Sequence, residues 1–273
     1  MSLTQRQKNR LIYSGLMLLC LVGFWWFENF YTEDPYPSPP GSATAPAFRE
    51  AWLPSGANGE RIRHDHYLLE YAESYEQAAW VAYVLDPSHL TDDDRDRPYF
   101  VEDPEVSTHS ADWRNYRGSG YDRGHLCPAG DRRYSLAAYN QTFYTSNISP
   151  QNREFNAGTW NELEMQVRRW CRRYGRLYVL TAGVLEPGLD RIGEEGVAVP
   201  RSFYKIVARE GSDGPVVVAF LMPNQPLEGP LQKFTVPVDR IEAITGLDFF
   251  QGLPPELQES LESRMGAKDW EFR

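Results

Sequence analysis

Short apolar runs, rich in β-branched and aromatic residues and set apart by polar stretches, recur along most of the chain. "HYLLEYAES" (66–74), "AAWVAYVL" (78–85), "RLYVLTAGVL" (176–185), "FYKIVARE" (203–210) and "PVVVAFLMP" (215–223) have strand length and strand composition, and predict five strands. "YDRGHLCPAG" (121–130) reads as a strand or turn, and "TFYTSNISP" (142–150) as a short strand running into a loop. The clearest helix is predicted over 157–174. At about 100° per residue, Leu163, Val167, Trp170, Cys171 and Tyr174 share an arc of about 100°. Arg168, Arg169, Arg172, Arg173 and Arg176 share another of about 140°. Further helices are predicted over 238–245 and 254–264. Strands, then a helix, then strands give an α+β fold, not a regular βαβ alternation.

The first 47 residues follow a different pattern. Residues 1–10 carry Arg6, Lys8 and Arg10 with no acid, and residues 11–27 contain no charge. A helix of that length is just long enough to cross a thin hydrocarbon core, with Trp25 and Trp26 at the far interface and the basic end inside. The small-residue pairs that a processing enzyme would need (Ala43 with Ala45, Ala45 with Ala47) lie well past the apolar run. An uncleaved anchor is therefore favoured over a cleaved, secreted form. Residues 28–47 hold five prolines and read as a tether. The remainder, 48–273, reads as one domain. The expectation is a single-pass membrane protein whose domain lies outside the cytoplasm, periplasmic in a bacterium.

Bulk properties narrow the choice less than their distribution does. Hydrophobic content of 41% and charged content of 24% are ordinary for a globular chain. A net charge of −10 speaks against a nucleic-acid binder on average composition, so any such role needs a local basic patch. The four arginines of helix 157–174, with Arg176 if the helix reaches it, are one candidate, with Arg168 and Arg172 as the expected substrate contacts; the competing reading is a solvated face. Cys127 and Cys171 could form one disulfide, but spacing does not show that they meet. No C-x-x-C or Cys/His cluster points to structural zinc.

Three short segments hold residues that make chemical sense together: Asp122-Arg123-Gly124-His125, Asn147 in "TSNISPQ", and Asn156 and Glu164 in "FNAGTWNELE". Hydrolysing a phosphodiester requires a base for water, cations for the extra phosphorane charge and stabilisation of the departing oxygen. Neutral imidazole serves as the base near neutral pH. Guanidinium matches phosphate geometry. A hard divalent ion needs few protein oxygens. Taken singly, the same residues have blander roles: a core histidine, an asparagine cap, a solvated carboxylate.

The order "YDRGHLCPAGD", "TFYTSNISPQ", "FNAGTWNELE" resembles the DNA/RNA non-specific endonucleases, the family of endonuclease G and Serratia nuclease. Asn147 follows His125 by 22 residues, Asn156 follows Asn147 by 9, and Glu164 follows Asn156 by 8. The resemblance extends over roughly 67–250. It implies an α+β fold of ββα-metal (His-Me finger) type with a mixed or antiparallel sheet, here preceded by the N-terminal transmembrane helix. It implies His125 as general base, Asn156 as the single direct protein ligand of a hydrated Mg²⁺ (with Mn²⁺ as a substitute), and Glu164 holding a water of that ion. Arg123 then lies near the scissile phosphate, and Asn147 helps shape the site. Arg97 is the best match to a further arginine that stabilises the transition state, with Arg95, Arg114 and Arg117 as alternatives. The implied substrates are DNA and RNA, held through phosphates, and a homodimer is among the arrangements the resemblance allows. Two rival functions remain: an inactive nuclease-like module that only binds nucleic acid, and a phosphodiesterase for a non-polymeric substrate.

Overall fold

The computed structural model describes residues 4–30, 35–37, 47–212 and 214–272. They fall into two compact units, Met1–Pro35 and Tyr36–Arg273. The first is the helix α1 (Gln5–Phe30), longer at both ends than the apolar run of 11–27. Its stretch Gln5–Trp26 is long and apolar enough to cross a membrane, by length and composition alone. Most of the Pro-rich stretch 28–47 falls on 31–34 and 38–46, outside the described residues.

The second unit is built on one antiparallel sheet. Its strands in chain order are β1 (Glu60–Arg63), β2 (Leu68–Ala72) and β3 (Gln77–Leu85). A separate ribbon follows, β4 (Asp122–His125) and, after the short helix α2 (Leu136–Gln141), β5 (Ile148–Gln151). Next come the one-turn helix α3 (Arg153–Phe155), a π-turn over Asn156–Trp160 and the long helix α4 (Asn161–Tyr174). The chain returns through β6 (Leu177–Gly183), a small hairpin β7 (Arg191–Ile192) and β8 (Val197–Ala198), then β9 (Ser202–Gly211), β10 (Gly214–Pro223) and β11 (Thr235–Val236). It ends with α5 (Val238–Thr245) and α6 (Pro255–Glu262). The main sheet runs β1-β2-β3-β6-β9-β10-β11, every pair antiparallel.

Both faces of this sheet are covered, which is why its central strands read as near-continuous apolar runs. On one face Tyr83, Val179 and Val207 pack with Leu163, Val167, Trp170 and Cys171 of α4. On the other, Trp80, Leu180 and Ile206 pack with Val238 and Ile241 of α5 and Leu261 of α6. The apolar arc expected for α4 is thus the arc that is buried. Cys127 and Cys171 are both buried free thiols. A third, smaller cluster, including Phe100, Tyr116, Phe143 and Ile148, supports the β4–β5 ribbon. That ribbon and the helix after it carry all three segments singled out in the sequence.

Candidate active site

β4 pairs with β5 in the register Asp122↔Gln151, Gly124↔Ser149 and His125↔Ile148. Strand alternation puts Arg123 and His125 on one face, and both rest on Phe100, at 4.6 Å and 5.6 Å from its ring centre. Gly124 faces the other way. A Cβ there would fall 2.2 Å from the side chain of Gln151, which is fully buried and has no room to retreat. Glycine therefore lets the two strands close. Beyond His125 the chain is clamped by Asn147: its amide donates to the carbonyls of Cys127 (3.0 Å) and Thr142 (2.9 Å), and its oxygen accepts from Cys127 N–H (2.8 Å). Asn147 is completely buried, so its place is behind the site, holding the backbone that aims His125.

The His125 ring also meets Phe143 edge-on at 4.8 Å. Its Nε2 is enclosed and has no hydrogen-bond partner. Burial, and after it the positive charges of Arg97 and Arg123, push its pKa down to about 3. The imidazole is neutral at any ordinary pH, with the hydrogen-bonding capacity of Nε2 unspent.

In front of this strand lies a cavity of about 770 Å³, lined by Arg97, Trp113, Arg117, Arg123, Arg153 and Asn156, among others, with Asp122 as its only acid. Four arginines against one carboxylate make the cleft strongly basic although the chain is acidic. Arg97 lies over Phe100 and Phe143, at 5.2 Å and 5.6 Å. Of the alternative upstream arginines, Arg117 also lines the cavity. Arg95 instead donates to the Arg133 carbonyl at 2.9 Å, and Arg114 is tied to Asp112. Arg153 was not singled out in the sequence. Its signal was available: it precedes Asn156 by three residues, one helical turn away.

Asn156 is not the helix cap. That role falls to Asn152, whose oxygen accepts from the N–H groups of Glu154 (3.0 Å) and Phe155 (3.1 Å). The Asn156 amide donates to Asp122 Oδ2 at 3.2 Å, and both residues line the cleft. The π-turn starts at this residue and contains Gly158 in non-helical geometry (φ −98°, ψ −110°), a distortion that often marks working sites. One turn into α4, Glu164 is nearly buried and lies 3.5 Å from Arg168. Burial raises its pKa to about 7 against the opposing charges of Lys205 and Arg168. Asn156 lines the cleft and Glu164, eight residues on, does not; an amide oxygen and a carboxylate are the donor types that suit a hard divalent ion keeping most of its waters.

The expected basic face of α4 is corrected by the structure. Arg168 turns inward, bonded to the buried Asp131 at 2.6 Å and to Glu164, over Gly130, where a Cβ would sit 2.7 Å from its guanidinium. Arg173 and Arg176 pair with Glu271 and Asp86. Arg172 is exposed, beside a different cavity that shares no lining residue with the cleft of Arg123 and Asn156. Neither Arg168 nor Arg172 lines the cleft. The arginines that do come from the loops and the ribbon, plus the turn before the π-bulge.

Residues 46–256 match the family model described as DNA/RNA non-specific endonuclease. The chain belongs to the DNA/RNA non-specific endonuclease family. It is 38% identical over 200 residues to human mitochondrial endonuclease G, covering 68% of this chain and 67% of that protein. It is 34% identical over 238 residues to the zebrafish (Danio rerio) mitochondrial nuclease EXOG, covering 81% and 69%. A crystal structure of the EndoG/EndoGI complex, reported for its mechanism of EndoG inhibition, superposes with a TM-score of 0.68 at 31% identity, over 73% of this chain and 89% of that one. These matches give a metal-dependent nuclease acting on nucleic acids, with a mixed α+β fold around an antiparallel sheet. They also correct the expected location. The relatives are named mitochondrial nucleases, which does not fit a membrane-anchored enzyme with its catalytic domain outside the cytoplasm. A lone apolar N-terminal run is read the same way by length and composition whatever its destination.

Proposed function

We propose that this family member is a Mg²⁺-dependent endonuclease that hydrolyses DNA and RNA without regard to base sequence or sugar, with Mn²⁺ able to replace Mg²⁺. The observation that carries this reading is His125: a neutral imidazole with an unpartnered Nε2, behind a cleft lined by four arginines. Phosphates carry no base identity, so a cleft that grips them through guanidinium groups reads position, not sequence.

His125 accepts a proton from water as the water oxygen attacks phosphorus in line with the 3′-oxygen. The P–O3′ bond breaks and the phosphate stays on the 5′ end. Arg97 and Arg123 neutralise charge that builds on the non-bridging oxygens, and Arg117 and Arg153 hold the flanking backbone. Asn156 would hold the divalent ion, which when bound would neutralise charge on the phosphate and the departing oxygen. Glu164 would orient a water of that ion, and Asn147 fixes the strand behind His125.

Digestion of plasmid DNA and of RNA by the full chain, with Mg²⁺ and with EDTA, tests this reading beside a folded His125→Ala protein. Mg²⁺-dependent cutting of both polymers that disappears in the variant is the expected result. Binding without cutting by both proteins would leave only an inactive module. Cutting confined to mononucleotide esters would make the chain a small-molecule phosphodiesterase.

A further inference from the structure

Strand β9 places a lysine where an apolar residue belongs. Its neighbours on the same face, Phe203 and Val207, lie in the core layer under α4, and Lys205 between them is completely buried. Its ammonium has one hydrogen bond, to Thr181 Oγ1 at 3.3 Å on the adjacent strand. It sits 4.6 Å from the centre of the Trp160 ring, and no carboxylate among the described residues forms a direct ion pair with it. Burying an ammonium this way costs several kcal/mol, which a hydrocarbon side chain would avoid. The structure contains no local pairing that accounts for it.

What the lysine touches is the segment that carries the metal-holding groups. Trp160 closes the π-turn that Asn156 opens, and its ring is wedged between Phe155 and Phe203, at 5.4 Å and 5.7 Å. An ammonium against the face of an indole is an attractive, directional contact, stronger when desolvated. Burial holds the Lys205 pKa below the usual lysine value, and the charge of Glu164, four residues beyond Trp160, opposes that fall, with Asp131 next. The contact by which this side chain from the sheet acts on the segment is the one with Trp160.

We propose that Lys205 is a positioning residue for the divalent ion: anchored by Thr181, it pins the Trp160 end of the bulge so that Asn156 faces the cleft. This rests on the metal-dependent reading given under Proposed function. The lysine does not touch substrate, so its loss acts on metal affinity first.

The test uses the full chain with His125→Ala, which keeps any nucleic acid intact, and measures Mn²⁺ and Mg²⁺ binding by calorimetry. Lys205→Met fills the same space without charge. It is expected to fold with a melting temperature at or above that of the parent, and to bind either ion at least tenfold more weakly. In the His125-containing protein, the Mg²⁺ concentration for half-maximal cleavage should rise in step while KM for DNA stays within twofold. A folded Lys205→Met protein with metal affinity within twofold of the parent would overturn the proposal. If Lys205→Met does not fold, Thr181→Ala decides: it removes only the hydroxyl that holds the ammonium, and is expected to weaken metal binding two- to fivefold, whereas unchanged affinity overturns the proposal. A parent that binds no divalent ion and cuts nothing defeats the underlying reading as well. A parent that binds and cuts beside an unaltered variant defeats only the role of Lys205.

Discussion

At the scale of single residues, two titrating groups set opposite ends of the pH response. An exposed histidine changes charge near pH 6.5. His125, enclosed and facing Arg97 and Arg123, is held down to about 3 and stays a competent base throughout the neutral range. Glu164 goes the other way, to about 7, because burial opposes its ionisation more than Lys205 and Arg168 favour it. Its carboxylate form is the one that can orient a hydrated ion. With a bound ion's own charge also favouring the carboxylate, cleavage is expected to rise with pH at or below about 7, with no separate step from His125. A pH–rate profile of Glu164→Gln should show a lower plateau without that rise; a step that survives the substitution would assign the titration elsewhere. Asn147 makes a different kind of contribution. Replacing it with Ala strips partners from one N–H and two carbonyls in a site without water access, at about 1–3 kcal/mol for a buried unpaired group. Asn147→Ala should thus lose about 3 kcal/mol in denaturant unfolding. It should also lose cleavage beyond what that destabilisation explains, since His125 is aimed by the strand it clamps.

At the scale of elements, α4 shows what periodicity can and cannot say. Its apolar arc was legible because burial follows the 3.6-residue repeat, and Leu163, Val167, Trp170 and Cys171 are all in the core. The opposite arc was misread as a uniform basic face. An angle gives a direction around the axis but does not say what lies there, and the connection after β4 brings Asp131 over Arg168. A direct test contrasts the two arginines expected to be alike. Arg168→Ala leaves Asp131, 1% exposed, without its counter-charge and is expected to cost about 3–5 kcal/mol. Arg172→Ala, on the solvent side, should stay within about 0.5 kcal/mol and leave KM for DNA unchanged. Equal effects on thermal unfolding would contradict the inward placement of Arg168. The central strands were readable from composition because they are buried on both faces. The two-residue strands β7, β8 and β11 were not, being too short to show a period. The residues of the candidate site were legible from three spaced segments. Of the arginines that line it, Arg97, Arg117 and Arg123 were among those named from the sequence and Arg153 was not; which upstream arginines reach the cleft was not legible, since loops carry no periodic signal and are placed by tertiary contacts.

At the scale of the whole molecule, charge is unevenly placed: a chain of net −10 lines the cleft of Arg123 and Asn156 with four arginines and one acid. A local field of that sign is what would steer a charged polymer to the cleft. The same uneven placement, here of a buried cation, makes the fold sensitive to acid at a second place. His66 and His89, 1% and 5% exposed, flank Tyr134: His66 lies 3.0 Å from its hydroxyl, and His89 stacks on its ring at 4.1 Å. Burial, and then the charge of the fully buried Arg132, lowers both pKa values to about 4, against partial compensation from Asp65, Asp86 and Asp131. Unfolding frees these rings to take up protons near pH 6.5, so between 6.5 and 4 the unfolded chain binds more protons than the folded one. Stability is therefore complete above the unfolded value and is lost as pH falls, by roughly 3 kcal/mol for each ring as pH reaches 4. Melting temperature should fall across that window. In His66→Asn, which cannot become charged, the fall should be shallower than in the parent. An equal slope would mean that carboxylates alone drive acid unfolding. A shallower one would identify the Tyr134 sandwich beside Arg132 as the part of the core that acid opens first.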